Sequence, residues 1–312
     1  MILRPRGPFS LRQSIVGRAG GTVRLRGGEL EMTVRPDGAP GLARVVQLSD
    51  GTLRCQVAEG DPDAVAAEVR RRLSLDADTS EFRERFRDDP LIGEGLRRRP
   101  GFRHVARGTV AQAAVAAVAG QLVTWAEAAA VEARVVAAAG PRRAGLRLPP
   151  TRAELSALSP AELAARGLSP GRASTLARLL RTLDPEALRG HESRAVVARL
   201  TRERGLGPWS AGVVGLLGLG RLDVGLVGDL GLIRLATRLN GRPAGVADTA
   251  ALLAPYGEWA GIASLHLLAH PWAVAPVRRG GRATRRTTPA GPRATPGAAA
   301  QPPHTSPRPS PG

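Results

Sequence analysis

Residues 205–232 read GLGPWSAGVVGLLGLGRLDVGLVGDLGL: two glycines around a leucine, a proline and a tryptophan, then a mainly apolar stretch that closes on Asp229. The segment before it, SRAVVARLTRER, has helical spacing. Together they predict a helix capped by Ser193, a tight turn at Gly205-Leu206-Gly207 with Gly205 as C-cap, and a second helix opened by Pro208. Gly207, lacking a side chain, lets a partner approach the backbone closely. At such a turn the N–H groups that begin the second helix point outward and can bind a DNA phosphate with little help from side chains. A bare Gly-X-Gly between helices also serves as an ordinary connection, so the surrounding sequence has to decide.

The whole chain of 312 residues is long enough for two domains and carries a formal charge of +18. That charge favours a polyanionic partner, whether nucleic acid, an anionic membrane face or an acidic protein. All 45 basic residues are arginine, so chemistry through a lysine Schiff base is excluded. Cys55 is the only cysteine, which excludes an internal disulfide, a four-cysteine zinc site and a cysteine-ligated iron–sulfur cluster, and suits a reducing cytoplasm. The N-terminal stretch is broken by arginines and reads as no signal peptide. The uncharged run 108–126 is mostly alanine with Gln112 and Gln121 inside it, and reads as a buried helix rather than a membrane span.

Residues 22–58 contain four short alternating stretches separated by Gly-Gly, Asp-Gly and Ser-Asp-Gly turn signals, the pattern of an antiparallel meander. DPDAVAAEVRRRLSL follows, with Ala64, Val65, Ala67, Val69 and Leu73 expected on a helix face laid against the sheet. The expected organisation is a small α+β domain over 1–85 and an all-α domain over 86–276, with no strand pattern after Asp89. Ser159 and Ser169, each followed by proline, are expected N-caps. Residues 277–312 contain seven arginines and no acidic residue, and are expected to be a disordered basic tail. The rest of the chain keeps +11.

RGLGPWSAG, followed 22 positions after Gly207 by Asp229 in GDLGLIRLATRL, resembles the helix-hairpin-helix and aspartate signature of the DNA glycosylase superfamily. AGQLVTWAEAAAVEARV at 119–135 resembles the helix preceding the hairpin in AlkA-type 3-methyladenine-DNA glycosylases. With the small N-terminal domain, the resemblance spans roughly residues 10–272. It implies a helix-hairpin-helix glycosylase domain behind an α+β domain, and a monomer acting on double-stranded DNA that holds a damaged base. It further implies that Asp229 stabilises a cationic sugar, that Leu122 fills the space of the extruded nucleotide, and that Gly205, Leu206, Gly207, Ser210 and Arg234 contact the DNA. Trp209 stands where backbone-cutting members carry lysine, which with the absence of lysine implies base release by water alone.

By the same resemblance Trp209, Val213, Leu230 and Leu268 line the base pocket. The last three replace aromatic residues of the family, so the pocket departs from its pattern and the lesion is left open. No organic cofactor is implied, and a monovalent cation on the hairpin carbonyls is the family's one candidate ion. The expected location is cytoplasmic, at the nucleoid, without membrane attachment. Read from residues alone, Asp229 is equally an N-cap, and asparagine would preserve that cap. A non-catalytic hairpin module that recognises damaged or bent DNA, and a scaffold with a basic tail, therefore stay open at this point. His266 and His270, four apart, lack a third ligand in sequence and are not read as a metal site. The arginine runs 70–72 and 97–99 are read as solvated faces, or, for the second, as a track for a DNA strand.

Overall fold

The computed structural model describes residues 1–15 and 19–274; the expected tail lies outside them. The meander is an antiparallel sheet of β2 (Val23–Arg26), β3 (Glu29–Val34), β4 (Gly41–Gln47) and β5 (Leu53–Glu59), with β1 (Ile2–Leu3) added at the edge of β5. The two-residue connection Gly27-Gly28 has positive φ at both positions, as a type I′ hairpin requires. Asp61 caps the helix Pro62–Arg72 by accepting from the Ala64 amide. Its buried face is Val65, Ala66 and Val69, continued by Arg72 and Leu73. Ala67 is exposed, a departure from the expected face, because positions 65, 69, 72 and 73 set the helical stripe and 67 falls off it.

Arg72 overturns the reading of residues 70–72 as a solvated run. Its side chain is fully buried and donates to the carbonyls of Thr33 and Ala106 and to Thr22 Oγ1. Arg71 donates to the carbonyls of Arg107, Gly108 and Gly218. These arginines tie the sheet and its helix to the segment that leads into the helical core. Burial lowers the Arg72 pKa to about 9, which leaves it charged at neutral pH.

Two hydrophobic cores lie within one compact body. The first runs from Leu3 to Leu75, between sheet and helix; the second begins at Phe82 and holds the helical part. Phe82 thus packs with the helices, although the expected boundary left it in the first domain. At the centre of the second core is the helix Val110–Ala119, in which every residue is buried. Thr109 caps it, and Gly218 packs so closely on it that an added Cβ would lie 2.8 Å from Ala113 Cβ. Ser159 caps its helix reciprocally with Glu162; Ser169 occupies the N-cap position without a side-chain bond. A second small sheet, β6 (Arg142–Arg143) with β7 (Leu146–Arg147), corrects the expectation of no strand after Asp89. Its turn places Ala144 and Gly145 at positive φ, and two paired residues per strand are too few to leave an alternating pattern. No helix among the described residues is long and apolar enough to cross a membrane.

Burial lowers the pKa of His104 to about 4 and that of His266 to about 3, from 6.5. Both are therefore neutral in the fold, and the unfolded chain takes up their protons first as pH falls. Stability is expected to be level above about pH 6.5 and to decline below it, by about 1.4 kcal/mol per pH unit for each histidine, until pH 3–4. Urea midpoints from pH 7.5 to 4.5 check this; a midpoint constant over that range would show that both rings protonate freely in the folded state.

Candidate functional site

The first hairpin helix is Ser193–Thr201 and the second is Pro208–Val213, continued by a π-helical turn Val214–Gly218. Two cap assignments change. Glu192 occupies the N-cap, and Ser193 Oγ donates instead to Asp223 Oδ1 at 2.9 Å. The helix ends at Thr201 with Arg202 as C-cap, so Gly205 lies within the turn, at φ +89°. A Cβ on Gly205 would come 2.7 Å from Thr175 Oγ1. Gly207 is different: its backbone is extended, with φ −102° and ψ −176°, and an added Cβ would meet only open space. As N-cap it contributes no side-chain bond, and the first amides of the helix behind it have no acceptor within the helix.

Leu206, expected to touch DNA, is instead an anchor. Its side chain is buried in the helical core and its amide donates to the Glu203 carbonyl, so this residue holds the turn in shape. Val213 also leaves the expected set. It is wholly buried and lies one helical turn beyond Trp209, outside the cavity wall, where it fills the core.

Asp229 is the N-cap of the helix Leu230–Asn240 and is 7% exposed. Its Oδ1 accepts from the amides of Gly231 at 2.7 Å and Leu232 at 3.4 Å. Its Oδ2 accepts from the indole Nε1 of Trp209 at 2.8 Å. The helix N-terminus favours the negative charge that this arrangement holds. Trp209 is itself seated against Gly120, where a Cβ would lie 2.6 Å from the indole ring. The sequence suggested stacking or core filling for this tryptophan; the bond to the carboxylate links residues 20 apart and has no local signature.

These residues border a cavity of about 680 Å³. Its wall includes Trp209, Ser210, Asp229, Leu230, Arg234 and Leu268 together with the hairpin glycines Gly205 and Gly207. Leu268 reaches so near Gly231 that a Cβ there would lie 2.5 Å from Leu268 Cδ2. Ser210 is buried and its Oγ accepts from Gln121 Nε2; Arg234 Nε donates to the Ala273 carbonyl. Trp125, 45% exposed on the same wall, was not expected there from the sequence. Its signal was its position three residues after Leu122, at the first turn of a helix capped by Thr124.

Leu122 does not belong to a helix. It sits in the loop between Val110–Ala119 and Trp125–Ala139, at φ +56° and 79% exposed, on the rim of the cavity. A non-glycine residue in the left-handed region costs on the order of 1–2 kcal/mol, so the surrounding contacts impose this conformation. His266 is buried between the rings of Phe82 and Phe102, and among the described residues no group of three or more His, Cys, Asp or Glu side chains is placed to hold a metal. Arg97 and Arg98 are exposed, and Arg98 pairs with Glu94; Arg99 stacks on Phe102 at 4.7 Å.

The small antiparallel sheet ahead of a helical domain matches the fold of solved helix-hairpin-helix DNA glycosylases. The 3-methyladenine DNA-glycosylase from Archaeoglobus fulgidus is similar with a TM-score of 0.73 and 19% identity, over 86% of this chain and 96% of that one. The apo 8-oxoguanine glycosylase/lyase of Clostridium acetobutylicum is similar with a TM-score of 0.68 and 15% identity, over 86% and 95%. A Schizosaccharomyces pombe 3-methyladenine DNA glycosylase, solved with abasic DNA, is similar with a TM-score of 0.50 and 18% identity, over 60% and 95%. No family profile matches the sequence, and no curated protein matches it.

Proposed function

We infer that the protein is a monofunctional DNA N-glycosylase that binds duplex DNA as a monomer, draws a damaged base into the cavity and hydrolyses its N-glycosidic bond. The observation that carries this reading is the buried Asp229 carboxylate at the cavity wall, beside Trp209 and the hairpin. In the reaction the C1′–N bond breaks, the base leaves with the bonding electrons, and a water oxygen bonds to C1′ while its proton passes to base or solvent. Asp229 stabilises the positive charge that develops on the sugar. The absence of any lysine supports release by water without a lyase step. Trp125 and Trp209, set in the cavity wall among aliphatic neighbours, favour an electron-deficient, alkylated base as substrate.

Duplexes that each carry one modified base, assayed for abasic-site formation, test the reading; no release from any alkylated duplex would refute it. A non-catalytic damage-binding module is the second reading, because both Asp229 oxygens already accept hydrogen bonds. That module would bind such duplexes and release nothing. The Gly205 carbonyl accepts from Gln121 and the Arg204 carbonyl from Arg178, which leaves each oxygen a second lone pair for the monovalent cation that the family resemblance suggests. No step is assigned to one.

Removing residues 277–312 takes away seven arginines and is expected to weaken binding to all duplexes alike. The slope of log K against log salt should fall by up to about 0.9 for each phosphate that the tail neutralises, with turnover at saturation retained. Loss of saturated turnover would place the tail in the site.

A further inference from the structure

Between the hairpin and the exposed Leu122 stands one polar side chain with no role assigned above. Gln121 Nε2 donates to the Gly205 carbonyl at 2.8 Å and to Ser210 Oγ at 3.1 Å. One amide group thus bridges the hairpin turn and the helix it opens to the residue immediately before Leu122. The main-chain carbonyl of Gln121 separately accepts from the Arg172 guanidinium. On the near side of the loop, Gly120 is packed under Trp209; on the far side, Thr124 and Glu127 form a reciprocal capping box. Leu122 is therefore the projecting member of a loop fixed on both sides, and its left-handed backbone is what those fixed points leave available.

We propose that Gln121 is a positioning residue that locks the Leu122 loop to the hairpin, so that seating a phosphate on the hairpin and inserting Leu122 into the duplex are one rigid event. This rests on the reading of Leu122 as the residue that enters the duplex. A flexible loop would lose entropy at each insertion; a loop already fixed has lost it on folding, which favours the inserted complex. Gln121 acts here through Leu122, and removing its amide frees the loop while leaving the hairpin glycines and Asp229 in place.

The test compares two duplexes, one intact and one with a tetrahydrofuran abasic site beside 2-aminopurine, using the full chain. Four proteins are measured by anisotropy and 2-aminopurine fluorescence: wild type, Gln121→Ala, Leu122→Ala and the double variant. Leu122→Ala is expected to reduce the preference for the abasic duplex about tenfold, roughly 1.4 kcal/mol. Gln121→Ala should lose a similar factor with near-normal affinity for the intact duplex, and the double variant should lose no more than Leu122→Ala alone. Gln121→Met, similar in size, uncharged and without the amide donors, should behave like Gln121→Ala and serves if the truncation perturbs folding. Independent, multiplying losses in the double variant overturn the proposal, as does equal weakening on both duplexes. A silent Gln121→Ala beside a defective Leu122→Ala overturns it alone, whereas a silent Leu122→Ala overturns the wedge reading as well.

Discussion

Asp229→Asn is expected to lower single-turnover base release on the order of a hundredfold or more, the usual effect of deleting one preorganised electrostatic group. Capping alone suggests that asparagine costs little stability. The structure changes that expectation. The Oδ1 position can still accept from Gly231 and Leu232, but the amide nitrogen then faces the Trp209 indole N–H, donor against donor. An unsatisfied buried donor costs about 1–3 kcal/mol, so the variant should be both slow and measurably less stable. Trp209→Phe removes the opposing donor and should restore part of that stability in the double variant, without restoring the rate. Asp223→Asn is the control: Asp223 is exposed, it accepts from Ser193 Oγ, and asparagine can still accept that bond. Thermal midpoints, duplex affinity and base release for the four variants separate these effects. Wild-type base release by Asp229→Asn would remove the residue from the chemistry and leave it a cap.

The second large effect divides the two hairpin glycines. Gly205→Ala forces a side chain into a left-handed backbone and against Thr175, and should cost about 1–3 kcal/mol of stability along with duplex affinity. Gly207→Val meets neither obstacle, because extended φ and ψ suit valine and the space is open. Its stability should stay within about 0.5 kcal/mol of wild type. Affinity should nevertheless fall about ten- to a hundredfold, the worth of a charge-assisted hydrogen bond at roughly 1.5–3 kcal/mol, since the side chain stands where the phosphate would approach. Far-UV circular dichroism, thermal midpoints and fluorescence anisotropy on one duplex test both. Normal binding by a folded Gly207→Val would show that the hairpin is not the DNA contact.

The hairpin was legible because its parts are local. Gly205, at positive φ, and Pro208 act through their own backbone limits, and Asp229 lies immediately before the helix it caps. The meander was legible for the same reason, through alternation and turn residues, whereas β1 and the short β6–β7 pair were too brief to leave a pattern. Misassignments arose where burial decides. Leu206 and Val213 carry no mark that separates a cavity wall from a core, and both proved to be core. Arg72 looked like part of a solvated run, yet carbonyls from two segments distant in sequence surround it.

By itself, the sequence determined the absence of lysine and of paired cysteines, the positive charge, the hairpin with its capping aspartate, and the division into a sheet and a helical part. Those are properties of composition, of short-range backbone preference and of local periodicity. Only the tertiary structure decided that Trp209 donates to Asp229, that Trp125 joins the cavity wall, that Leu122 projects from a strained loop, and that Gln121 ties that loop to the hairpin. Each depends on hydrogen bonds or packing between residues distant in sequence, whose geometry exists only once the helices have packed around Val110–Ala119.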